Sequence, residues 1–168
     1  RIIATRIVGG PGEAIATELE RPGSYPAIHA IVQKAHAVLL LCDSVQVRDA
    51  GFREDVFAVK LASYTYNAHI TPAKLRRRQP ATVPLAFVFT KADCCPEARQ
   101  DPQRFAIANM PRVVQLLKKE FTDFRFFAAS VVGSTAALVN ANGFYMTSPL
   151  HVQPHGITEP FEWLLQRA

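Results

Sequence analysis

Apolar residues in this chain fall into short unbroken runs, separated by longer stretches in which they recur at helical spacing. The runs predict strands at about 2–8, 37–43, 83–90 and 124–130. They are continuous rather than alternating, the pattern of strands covered on both faces. The intervening stretches predict helices at about 25–34, 52–68, 102–119 and 158–167. Asp101 is suited to cap the third of these, with Pro102 in its first turn. Pro111 cannot donate to the helix ladder, so that helix is expected to break or kink there into two. Thr158 before Glu159-Pro160 marks the start of the last helix, and Phe161, Leu164 and Leu165 give it a narrow apolar face. Strand and helix alternate, which predicts a three-layer α/β fold: a mostly parallel sheet with helices on both faces. Residues 133–156 are rich in Gly, Pro, Ser and Asn and read as a long loop, with a small hairpin near 140–143.

Composition narrows this to one domain spanning 1–168. At 168 residues and 49% hydrophobic, the chain can bury a core without disulfide staples. Its longest apolar run, at 37–42, is far too short to span a bilayer, and no secretory signal is visible. Cys42 falls in a predicted strand, and Cys94 and Cys95 are neighbours in a loop with no His at ligand spacing. No metal site is therefore predicted, and the cysteines read as reduced thiols of a cytoplasmic protein. The net charge of +5 is concentrated in Lys74, Arg76, Arg77 and Arg78, with no aromatic residues interleaved. That is a solvated loop rather than a nucleic-acid platform. An acidic protein surface or membrane headgroups remain open as partners of the cluster.

One apolar run ends in distinctive chemistry. Thr90-Lys91-Ala92-Asp93 follows directly on the predicted strand at 83–90. An ionised Asp is acceptor-only, so it can take parallel hydrogen bonds from the N1 and 2-amino donors of guanine. Adenine presents an acceptor at N1, and a site built on such a match rejects the wrong base by roughly 10⁴-fold. The Lys91 stem can lie over the base while its ammonium ties down neighbouring loops. The four residues resemble the [NT]KxD guanine-recognition motif of P-loop GTPases. Lys and Asp also crowd strand-to-helix loops as solvated residues, so the tetrapeptide alone is a weak signal.

The order of elements extends the resemblance. The next run ends in Ser130-Val131-Val132-Gly133, where GTPases carry a Ser-Ala-like turn whose N–H groups meet guanine O6. Upstream, Gly9-Gly10-Pro11-Gly12-Glu13 stands where Asp-x-x-Gly is usual. With the closing Glu159-Pro160-Phe161-Glu162-Trp163-Leu164, the chain is similar to the bacterial double-GTPase-like group. The resemblance implies a P-loop NTPase-like fold that binds GTP or GDP and serves as a switch or assembly regulator with a protein partner. It implies nucleotide-binding roles for Gly12, Thr90, Lys91, Asp93, Ser130 and Val131, with Glu13 as the catalytic position that orients water. Gly9 replaces the Asp that holds Mg²⁺ through a water, which argues against metal binding and hydrolysis. No Gly-x-x-x-x-Gly-Lys-[Ser/Thr] occurs. The P-loop and switch threonine would then precede Arg1, making the chain the N-terminally truncated, later part of such a domain. By itself it is expected neither to hydrolyse GTP nor to bind it tightly.

Other constellations carry less. Gly10-x-Gly12 after a strand lacks the third glycine of a dinucleotide fingerprint, because Ile15 is too bulky there. His36, His69, His151 and His155 are scattered, with no Ser or Cys elbow for acyl transfer. Asp43 reads as a cap or as a group supporting a site, and Trp163 as core. A second class of function stays open: a GTPase-derived protein-interaction module that has lost catalysis.

Overall fold

The computed structural model describes residues 12–71, 76–77, 79–139 and 145–168. The strand expected at 2–8, Gly9, Lys74, Arg78 and the turn near 140–143 lie outside the described residues. Helices α1 (Gly12–Glu20) and α2 (Pro26–Lys34) lead into β1 (Val38–Asp43), which passes directly into α3 (Ser44–His69). Strand β2 (Leu85–Thr90) is followed by a 3₁₀ turn at Ala92–Cys94 and by α4 (Pro96–Gln100), α5 (Pro102–Asn109) and α6 (Pro111–Glu120). Strand β3 (Phe124–Ala128) gives way to β4 (Ser130–Val139) and β5 (Tyr145–His155), and α7 (Glu159–Leu165) comes last.

Strands β1, β2 and β3 form a parallel sheet in that order, with Leu40 opposite Phe87 and Phe87 opposite Phe126. The continuous apolar run of β2 is explained by its two covered faces. Leu85, Phe87 and Phe89 point into a cluster with Val47, Ala58 and Ala62 of α3, Phe105 of α5, and Val113 and Leu117 of α6. Ala86 and Val88 point the other way, against Trp163 and Leu164 of α7 and Phe127 of β3. The Phe89 ring meets Phe105 edge-on at 5.0 Å, and Phe127 meets Trp163 at 5.8 Å. Full burial of each such ring contributes about 2–3 kcal/mol. The expected α/β architecture, with helices on both faces of a parallel sheet, is therefore present.

Helix boundaries follow local chemistry. Asp101 caps α5 as expected, its Oδ1 accepting from the Arg104 N–H at 2.9 Å. The break at Pro111 also occurs, ending α5 at Asn109 and opening α6 at Pro111. Three expectations need correction. The helix expected at 52–68 starts at Ser44, because the Asp43 carboxylate accepts from the Val45 and Gln46 N–H groups and caps the chain straight off β1. A non-helical Ala50 (φ −134°, ψ 37°) then kinks it. The strand expected at 124–130 divides at Ala129, and the loop expected over 133–156 with only a small hairpin is instead paired over most of its length as a two-stranded antiparallel ribbon of β4 and β5. Val131, Val132, Thr135, Val139, Tyr145, Thr147 and Val152 supply the β-branched and aromatic content that overrides the turn-rich composition there. Helices α1 and α4 were not foreseen.

Candidate functional site

The carboxyl ends of β1 and β2, the turn after β2 and the residues leaving β3 meet at one edge of the sheet. Thr90 ends β2, and its hydroxyl donates to the Cys42 carbonyl at 3.3 Å, joining the ends of β1 and β2. Lys91 follows in the left-handed region at φ 55°, the only non-glycine to do so among the described residues. That conformation turns the chain sharply off the strand and delivers Ala92–Cys94 as a 3₁₀ turn. Two backbone bonds lock the turn to the neighbouring strand end. The Ala129 N–H donates to the Phe89 carbonyl at 2.8 Å, and the Ala92 N–H donates to the Ala129 carbonyl at 3.2 Å.

Asp93 sits in this turn, half-buried, with its Oδ2 accepting from the Cys94 thiol at 3.2 Å. Ser130 is only 5% exposed, and its hydroxyl has no hydrogen-bond partner. Val131, next along, is 59% exposed. Thr90, Lys91, Asp93, Ser130 and Val131 are thus brought together at one edge. Ser130 and Val131 do so as the first residues of β4 and not as a free turn, since Ser130 pairs with His155 in the ribbon. Gly12 and Glu13 open α1. The described hydrogen bonds join α1 through Glu18 to Tyr64, in the second half of α3, and not to the Lys91–Asp93 turn.

Asp43 is the site residue whose role the sequence left undecided between cap and support. It does both. Its Oδ1 caps α3, and its Oδ2 receives the Lys91 ammonium at 2.6 Å. Burial alone would raise the Asp43 carboxyl, but the Lys91 hydrogen bond and the Gln46 and Val45 N–H groups outweigh it and hold the carboxyl below its ordinary value. The same carboxylate raises Lys91. Ser44 and Arg48 were missed altogether. The Ser44 hydroxyl donates to the Lys91 carbonyl at 3.2 Å, and Arg48 Nη1 donates to the Cys94 carbonyl at 3.1 Å. The signal available in the sequence was only their place in the first turns after Asp43. Cys42, beneath the edge, is pushed up to about 12 by burial and by the Glu54 and Asp43 carboxylates, so it remains a neutral thiol.

A cleft of about 410 Å³ adjoins the end of β3 at Ala128 and is walled by Arg99, Arg125, Phe127, Glu159 and Trp163, but Thr90, Lys91, Asp93, Ser130 and Val131 do not line it. Its charges are mixed, and the converging polar groups are at the sheet edge instead. Among the described residues no three His, Cys, Asp or Glu side chains are grouped as metal ligands. No helix among them is long and apolar enough to cross a membrane. No protein-family model, curated protein or solved structure matches the chain.

Proposed function

We propose that the chain is the guanine-recognising part of a P-loop NTPase-like domain, binding GTP or GDP in a switch or assembly regulator. The observation that carries the proposal is the meeting of Asp93 and Ser130 at one carboxyl edge, bonded through Ala92 and Ala129, with the Ser130 hydroxyl buried and unpartnered. Open parallel sheets bind ligands beyond the carboxyl ends of their strands. A buried hydroxyl without a partner is costly, and a ligand beside it would relieve that cost.

In this reading Asp93 accepts the N1 and 2-amino donors of guanine, and the Lys91 stem buttresses the base. Ser130 and Val131 face O6 through their backbone, and Thr90 holds the strand ends from which the turn departs. Gly12 and Glu13 carry no role in this reading, because the described hydrogen bonds of α1 join it through Glu18 to the second half of α3. Gly9, where the family carries the Asp that binds Mg²⁺, lies outside the described residues, and the reading stops at nucleotide binding. The alternative, a GTPase-derived interaction module, is favoured by one observation. The β4–β5 ribbon begins beside the site with Val131 and Val152 both largely exposed.

Titration of the chain with guanosine, xanthosine and adenosine, followed by amide chemical shifts, separates the two. Guanosine is expected to bind and adenosine not. Asp93→Asn presents one donor and one acceptor, so it should lose about 2–5 kcal/mol toward guanosine while accepting xanthosine, whose 2-oxo group is an acceptor. Equal response to guanosine and adenosine, or an unchanged guanosine-to-xanthosine ratio in Asp93→Asn, would leave Asp93 a solvated loop residue and favour the interaction module.

A further inference from the structure

We propose that Asp43 is a positioning residue which, by holding the Lys91 ammonium, fixes the lysine stem across the base edge and makes the site select the uncharged nucleoside end of a guanine ligand rather than its phosphates. The proposal rests on the guanine reading above. Its starting point is the division of labour within one carboxylate: Oδ1 caps α3 through Val45 at 2.9 Å, and Oδ2 holds Lys91 Nζ at 2.6 Å. Because Oδ1 is tied to backbone N–H groups of α3, Oδ2 is held in place and anchors the end of the lysine side chain. Lys91 itself is held in the left-handed region, which an L side chain disfavours, by the Ser44 bond to its carbonyl. Arg48 anchors the far end of the turn at the Cys94 carbonyl. The first residues of α3 thus clamp the segment carrying Asp93 at both ends.

The charges lead to the ligand class. Lys91 is paired with Asp43, and Arg48 with Asp49 at 2.8 Å. The two cations that grip the turn are therefore already neutralised within the chain. A phosphate near them would have to share each cation with the carboxylate already on it, whose repulsion offsets part of the attraction, so phosphates should add little to binding at this edge. The raised Lys91 and lowered Asp43 are consistent with a committed pair.

The test uses Asp43→Asn, because Asn caps a helix about as well as Asp and removes only the charge. The probes are guanosine and GTP, titrated against the full chain by amide chemical shifts, with thermal unfolding as a check on the cap. In the wild type the two ligands should bind within about threefold of each other. In Asp43→Asn, guanosine should weaken by about five- to tenfold, while the GTP-to-guanosine affinity ratio rises at least about fivefold as the released ammonium meets phosphate. Lys91→Met keeps the stem but loses the ammonium that Asp43 holds, so guanosine should weaken about as much as in Asp43→Asn, with no rise in that ratio because no cation is released. If Asp93→Asn still exchanges guanosine for xanthosine but Asp43→Asn changes neither affinity nor ratio, the positioning role is overturned and the guanine reading stands. If the wild type does not distinguish guanosine from adenosine, both fall together.

Discussion

Glu18 shows how much a single side chain can organise here. It is 1% exposed, and its carboxylate accepts from the Gly23 N–H at 2.9 Å, the Tyr25 N–H at 2.6 Å and the Tyr64 hydroxyl at 3.1 Å. One acid thereby closes the α1–α2 connection and ties it to α3. The Gly23 and Tyr25 N–H groups, with help from Tyr64 and His29, outweigh burial and hold Glu18 below its ordinary value of 4.5. Tyr64 is pushed up to about 12 by burial and by that carboxylate. A depressed folded value means that the stability from Glu18 is fully present above pH 4.5 and is lost as pH falls through the lower folded value. Urea unfolding from about pH 7 to about pH 3 should therefore show wild type and Glu18→Gln well separated near neutrality and converging toward acid. Parallel curves over the whole range would show that the Glu18 charge contributes nothing. Nothing in the sequence around Glu18 distinguishes it from a solvated helical acid, because its partners come from a turn and from a residue far along the chain.

At the scale of elements, the clearest dependence is that of α6 on α3. Met110, the N-cap of α6, makes no side-chain cap bond. The cap comes instead from Asp55 in the middle of α3, 2% exposed, whose two oxygens accept from Arg112 at 3.1 Å and Val113 at 2.8 Å. Removing it would leave two N–H groups at the start of α6 without acceptors in a packed interface. Asp55→Ala is expected to cost about 2–4 kcal/mol, with Asp55→Asn milder. Amide exchange at Arg112 and Val113 should accelerate more than exchange in β2. A loss below about 0.5 kcal/mol would mean that water replaces the cap. The sequence disclosed the break at Pro111 and the cap at Asp101, since both act within a few residues. It did not disclose the Asp55 cap, which spans more than fifty positions.

At the scale of the whole molecule, the sheet is closed unevenly. Phe87, in β2, is packed between Leu40 and Phe126 in register and under α3, α5 and α6, whereas Leu41, one residue along β1 from Leu40, is 62% exposed. Phe87→Ala should therefore cost about 3–5 kcal/mol, and Leu41→Ala less than about 1 kcal/mol, by denaturant titration. Similar costs would show that Leu41 is covered in solution. The two residues look equally core-like in the chain, because an apolar run records the wish for burial and not which face receives a helix. The same holds for the site: Thr90, Lys91, Asp93, Ser130 and Val131 were legible as types at strand ends, but not that Asp43 and Ser44 hold the lysine between them.

What the sequence determined by itself is whatever depends on neighbours along the chain. The apolar runs at 37–43, 83–90 and 124–130 became β1, β2 and β3, Pro111 divided one helix into two, Asp101 capped the second of the helices after β2, and alternation with helices dictated a parallel sheet. What only the tertiary structure decided depends on partners brought close by folding. The Ala129 hydrogen bonds to Phe89 and Ala92 end β3 early. The turn-rich tail pairs with itself as a ribbon, because two strands satisfy each other's backbone whatever their composition predicts. Lys91, its side chain still largely exposed, pairs with Asp43 because the parallel register sets Asp43 opposite Thr90, the residue just before the lysine.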